Sequence, residues 1–135
     1  MFVATPDHPF ATRGRIGLEE IAQDRLILFD RTSSYYELTN AMFREAGVAP
    51  QGVIELDNID AAKKMVERGL GVALLPRTAV STELAAGSLR AVTIAGALPI
   101  RRRVVAIRRR DAGPPVGVVA GFYEVLAEIG ELIPG

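Results

Sequence analysis

No cysteine occurs among the 135 residues, which excludes disulfides, thiolate metal sites and cysteine nucleophiles together and leaves the chain compatible with a reducing compartment. Histidine is almost as scarce. His8, in a PDHPF segment, is the only one, with no second ligand at metal-binding spacing, so no metal is expected and His8 reads as a loop residue. Net charge is absent too: 16 basic side chains cancel 16 acidic ones, and nothing in the balance draws the chain to nucleic acid or an anionic membrane. No apolar run approaches the length of a membrane span, and the opening MFVATPDHPF has neither the basic leader nor the long apolar stretch of a secretory signal, so a cytoplasmic location without membrane contact is the expectation.

What is present suits one compact core. Apolar residues make up 49% and charged residues 24% of the chain, the balance of a folded globular protein and not of a disordered one. Short runs rich in Val, Ile and Leu alternate with stretches of helical period, which predicts an α/β fold of three layers, a mostly parallel sheet flanked by helices. The strand candidates are Phe2–Thr5, Leu26–Asp30, Val53–Asp57, Val72–Pro76, Leu89–Ile94 and Arg102–Arg108.

Helices are predicted between them. Tyr35, Leu38, Met42, Phe43 and Ala46 share one face, with Ser34 and Glu37 at the spacing of a capping box and Gly47 as the stop. Ile59, Ala62, Met65 and Val66 define a second helix, with Asp57 or Asn58 as its cap and Gly69 beyond its end. A shorter helix is expected over Thr78–Ala86 and a final one over Val118–Ile133, whose wide apolar stripe calls for a large partner surface. Asp111–Gly117 reads as a linker.

The junction LILFDRTSSYYE carries the strongest local signal. Thr32, Ser33 and Ser34 stand where a helix presents unpaired amides at the carboxyl end of a strand, a place suited to a carboxylate, phosphate or sulfate. The plainer reading, which the residues by themselves favour over a ligand site, is that one hydroxyl caps the helix and the others face water. Asp57 and Asn58, and then Leu75 and Pro76, reach the same edge from two further strands; read alone they are helix caps and a strand end. The arginines at 101–103 and 108–110 read as solvated strand ends more readily than as a DNA surface.

Catalysis finds little footing. Asp30 lies where a phosphatase nucleophile would, yet Arg31 and Thr32 follow in place of a second acid. Asp57 resembles a phosphate acceptor without the acidic pair that would hold magnesium. Ser33 and Ser34 have no nearby base.

The landmarks DHPFATRGRIGLEEIAQDRLILF, FREAGVAP, ERGLGVALLPRTAV, ELAAGSLRAV and RRVVAIRR, in that order and followed by an amphipathic helix, are similar to the later part of the effector-binding module of LysR-type transcriptional regulators. The resemblance spans about Val3 to Ile129. It implies a fold like that of type 2 periplasmic binding proteins, in which two α/β subdomains share a cleft for a small effector. Residues 1–110 would be subdomain two, and 111–135 a linker and a C-terminal helix that packs on subdomain one.

The resemblance further implies a sensor and not an enzyme. No cofactor is expected; the partners are a small organic, anionic effector and further copies of the chain in a dimer or tetramer, with DNA contacted only through an N-terminal winged helix-turn-helix outside these residues. The effector-holding role falls on Thr32, Ser33 and Ser34, with Asn58 and Pro76 at further cleft-edge positions. Asp30 and Arg31 depart from the proline- or glycine-containing loop common in relatives. A self-association module and an Asp-dependent phosphoryl-transfer domain are the competing readings.

Overall fold

The computed structural model describes residues 1–96, 105–109 and 111–132. Two units divide the chain, Met1–Ile100 and Arg101–Gly135, and each is taken by itself.

The first unit runs β1 (Phe2–Ala4), α1 (Pro9–Arg13), β2 (Arg15–Ile16), α2 (Leu18–Gln23), β3 (Arg25–Phe29), α3 (Ser34–Glu45), β4 (Gly52–Leu56), α4 (Ile59–Glu67), β5 (Val72–Leu74), a 3-10 turn (Arg77–Ala79), α5 (Ser81–Ala86) and β6 (Arg90–Ile94). Six strands form one sheet in the order β2-β6-β1-β5-β3-β4. The α/β class and the layered arrangement agree with the sequence pattern. The sheet is mixed, however: β3 pairs in parallel with β4 and β5, and β2 with β6, whereas β1 is antiparallel to both β5 and β6.

Alternation along the strands builds a core on each face. Phe2 and Ala4, Leu26 and Leu28, Val72 and Leu74 join Phe10, Ile16, Ile21 and Phe43 beneath α1, α2 and α3. Val3, Ile27, Phe29, Ala73 and Leu75 point the other way and meet Ala62 and Val66 of α4, with Val80 and Leu89. Side chains of period two can serve two cores only if both faces are covered, which is why these strands read as nearly continuous apolar runs. Each fully buried Phe, Ile or Leu contributes roughly 1.5–3 kcal/mol relative to exposure. Gly71 lets β3 and β5 approach, because a Cβ there would overlap the Arg25 carbonyl.

His8 is a loop residue as expected, in the bend before α1, and it is engaged there: its Nδ1 accepts from the Phe10 amide at 3.2 Å, capping α1, and its Nε2 lies 3.3 Å from Asp24. Several local expectations are revised. The stretch from Pro9 to Gln23 holds two short helices and the two-residue β2, elements too brief for a periodicity to develop. Helix α3 is capped by Ser33, whose Oγ accepts from the Tyr35 amide at 3.2 Å. The Ser34–Glu37 capping box therefore does not form; the helix begins one residue earlier, which puts Tyr36 where the reciprocal carboxylate would have to stand. Thr78–Ala86 is broken at Val80 into the 3-10 turn and α5, since Val80 is fully buried and anchors the junction.

In the second unit, α6 spans Val118–Leu132; Ile133 lies outside the described residues. The expected strand Arg102–Arg108 is not seen where it can be judged: Val105–Arg108 are neither strand nor helix, and Arg102–Val104 lie outside the described residues. A strand needs a ladder on at least one side, and Ile107 is 89% exposed. Arg108 donates to the Ala112 and Gly113 carbonyls and Arg109 pairs with Asp111, so these two arginines are engaged in their own turn.

Candidate functional site at one rim of the sheet

The pairings place the carboxyl ends of five strands on one edge. Strands β3, β4 and β5 run together; β1 opposes β5, β6 opposes β1, and β2 follows β6. So β2 to β6 all end at the same rim, and β1 starts there. The rim is the place where a parallel arrangement leaves loops and helix starts free to meet a ligand.

Three adjacent strands, β5-β3-β4, bring the sequence-predicted residues to it. The β3–β4 ladder continues beyond its last strand pair, with the Asp30 amide donating to the Leu56 carbonyl at 2.9 Å. Register pairs Phe29 with Leu56 and Ile27 with Ala73; beyond these pairs Asp30 and Asp57 follow β3 and β4 at the rim, while Pro76 leads from the end of β5 into the 3-10 turn.

Thr32 is exposed but engaged. Its hydroxyl donates to Asp30 Oδ1 at 2.5 Å and its amide donates to the same oxygen at 2.7 Å. Those bonds, the Thr32 hydroxyl first, hold the Asp30 carboxyl below its ordinary value, and the Ser33 amide adds to the effect. Asp30 thus supplies the negative charge at this loop from within the chain.

Ser33, half-buried, caps α3 through its oxygen and keeps its hydroxyl proton for donation. Ser34 is exposed at the first position of the helix. Asn58, also exposed, caps α4: its Oδ1 accepts from the Ala61 amide at 3.0 Å, leaving the side-chain NH2 as a donor. Pro76 is half-buried, and its carbonyl accepts from the Ala79 amide at 3.0 Å to start the 3-10 turn. The five residues share one rim, yet capping engages the two oxygens that sequence reasoning offered to a ligand from Ser33 and Asn58.

An open depression of about 570 Å³ lies along α3 from Tyr36 to Arg44, closed at its far end by Gly47–Pro50. It includes none of Thr32, Ser33, Ser34, Asn58 or Pro76. Hollow shape and rim chemistry therefore fall in different places on this unit. Among the described residues no group of three or more His, Cys, Asp or Glu could hold a metal ion.

The family model described as the LysR substrate binding domain matches residues 1–129. The chain belongs to that family. Among its relatives, the probable RuBisCO transcriptional regulator of Cyanidioschyzon merolae is 31% identical over 108 residues, 78% of this chain and 35% of the relative. Among solved structures, the regulatory domain of Synechocystis PCC6803 CcmR in complex with 2-PG superposes with a TM-score of 0.78 at 23% identity, covering 99% of this chain and 64% of that one. The effector binding domain of QuiR in complex with shikimate gives 0.62 at 22% identity, covering 73% of this chain and 46% of the other. At such identities these likenesses establish the fold, which is that of LysR effector-binding domains. The chain spans about a third of the length of the first curated relatives it matches.

Proposed function

We propose that residues 1–110 are the second subdomain of the effector-binding domain of a DNA-binding transcription regulator, and that its rim takes a small organic anion against a first subdomain lying elsewhere. The observation that carries this reading is topological. The chain enters the sheet at Phe2 and leaves it at Ile94, on neighbouring antiparallel strands, beside the rim where β3, β4 and β5 end. Two adjacent crossing points at a ligand-binding edge are what a hinge between two lobes requires: an effector that touches both lobes binds the closed form better and shifts its population.

In this reading Ser33, Ser34 and Asn58 offer donors to the effector, Thr32 positions the loop through Asp30, and Pro76 shapes the edge. Residues 111–135 link and return, α6 laying its apolar face on the first subdomain. The regulator is a homo-oligomer, dimer or tetramer, that works in the cytoplasm, reaches DNA through its winged helix-turn-helix, and catalyses no reaction. The complexes of CcmR with 2-PG and of QuiR with shikimate support a small-molecule effector.

Calorimetric titration of the intact regulator with a library of aromatic, aliphatic and phosphorylated organic acids tests the proposal. Saturable binding of at least one, with a changed affinity for operator DNA, is the expected result; silence across the library would sink it.

One observation favours a second reading. Val118, Val119, Phe122, Val125 and Ile129 of α6 are each more than two-fifths exposed, a stripe that a second copy could cover. Sedimentation decides: loss of self-association in Phe122→Glu would favour the second copy, an unchanged oligomer the first subdomain.

A further inference from the structure

The edge of the sheet opposite the rim carries a second polar cluster, built on the chain's single histidine. His8 follows β1 and is largely enclosed, its side chain 17% exposed. Nδ1 accepts from the Phe10 amide at 3.2 Å and so caps α1. Nε2 lies 3.3 Å from one oxygen of Asp24, at the corner between α2 and β3, and the Arg25 amide donates to the other Asp24 oxygen at 2.7 Å. The Phe10 ring meets the imidazole edge-on, ring centroids 4.7 Å apart. Asp24 across the corner and Asp7 in the same turn are the charged groups that face the ring; the Asp7 carboxyl is held below its ordinary value by the Thr5 hydroxyl first, then by its own amide, with His8 adding to the effect. Arg13, at the far end of α1, is turned to Glu20.

An acceptor at Nδ1 fixes the tautomer: the one proton of the neutral ring sits on Nε2, toward Asp24. A second proton can go only to Nδ1, where the Phe10 N–H already points, so the imidazolium and the cap exclude each other. Asp24 and Asp7 both favour the cation, and neither needs the cap to be in place. We infer that His8 is a proton-operated latch: neutral, it ties the start of α1 to the Asp24 corner; protonated, it keeps Asp24 and lets α1 go. The segment held by the latch ends in β2, which covers β6. The Thr93 amide donates to the Gly14 carbonyl at 3.2 Å and the Ala95 amide to the Ile16 carbonyl at 2.8 Å. Since β6 is the strand by which the chain leaves the sheet, acid loosens the edge that steadies this exit. His8 lies at the opposite end of β1 from the rim, so the latch is tested without any effector.

Nitrogen NMR of the 135-residue chain, in which the imidazole signal is unique, combined with hydrogen exchange at the Phe10 amide, provides the test. In mildly alkaline solution the signals should show a neutral ring protonated at Nε2. As pH falls through the observed His8 titration, protection of the Phe10 amide, corrected for the intrinsic pH dependence of exchange, should drop by about 5-fold, the loss of one cap, while the α4 amides hold. His8→Asn, a cap that does not titrate, should keep α1 protected at both ends of the range, and His8→Ala should leave it open at both. A neutral ring protonated at Nδ1, or Phe10 protection indifferent to the His8 titration, overturns the latch. The same acid loss in His8→Asn overturns it too, because another group is then responsible.

Discussion

Helices α3 and α6 look alike in sequence and differ in what covers them. Both carry a one-sided apolar pattern, but α3 sinks Met42 and Phe43 into the core beneath the sheet and buries Thr39, whose hydroxyl donates to the Tyr35 carbonyl at 2.7 Å. Helix α6 instead leaves Phe122 58% and Val125 50% exposed. Amphipathicity thus announces that a helix has a partner without saying which segment, subdomain or copy provides it.

The largest effect expected from breaking this contrast comes from truncating the buried aromatic. Phe43 is 1% exposed and meets Phe2 edge-on, ring centroids 6.4 Å apart. Phe43→Ala should cost about 3–5 kcal/mol of unfolding free energy in urea titration. Phe122→Ala in this same chain should change it by no more than about 0.5 kcal/mol. A loss from Phe122→Ala matching that of Phe43→Ala would show that α6 is already packed.

A smaller effect separates neighbouring serines at the start of α3. Ser33→Ala removes the cap and should lower stability by about 1 kcal/mol, whereas Ser34→Ala, one residue later, should be close to neutral. Equal losses would mean that the cap has been assigned to the wrong hydroxyl.

The smallest effect concerns the loop that joins β3 to α3. The Asp30 carboxyl is held below its ordinary value by the Thr32 hydroxyl and amide, so the folded state favours the ionised form. That contribution is present above the unfolded carboxyl value and is lost as pH falls through the lower folded one. Urea midpoints of wild type and Asp30→Asn should therefore differ at neutral pH and converge in acid. A constant gap across the range would show that these hydrogen bonds do not depend on charge.

Legibility followed element length. Leu26–Phe29 and the α4 positions Ile59, Ala62 and Val66 could be read in advance because each spans enough residues for its period to appear. Pro9–Gln23 could not: α1 and α2 span 5 and 6 residues. The helix start Pro9 and the αL glycine Gly14 were the available signals there. At the rim, residue types announced polar side chains and helix caps, but which hydroxyl caps α3 depended on one residue of helix phase.

By itself the sequence determined the α/β class, the two apolar faces of β1, β3 and β5, and membership in the family, all of which reside in local periods and ordered motifs. Only the tertiary structure decided that β1 runs against its neighbours, that five strands end at one rim, and that Asp30 takes up the Thr32 donors. Strand pairing brings together residues far apart in the chain, and the direction of a side-chain hydrogen bond depends on ångström-scale geometry that a pattern of residue types does not encode.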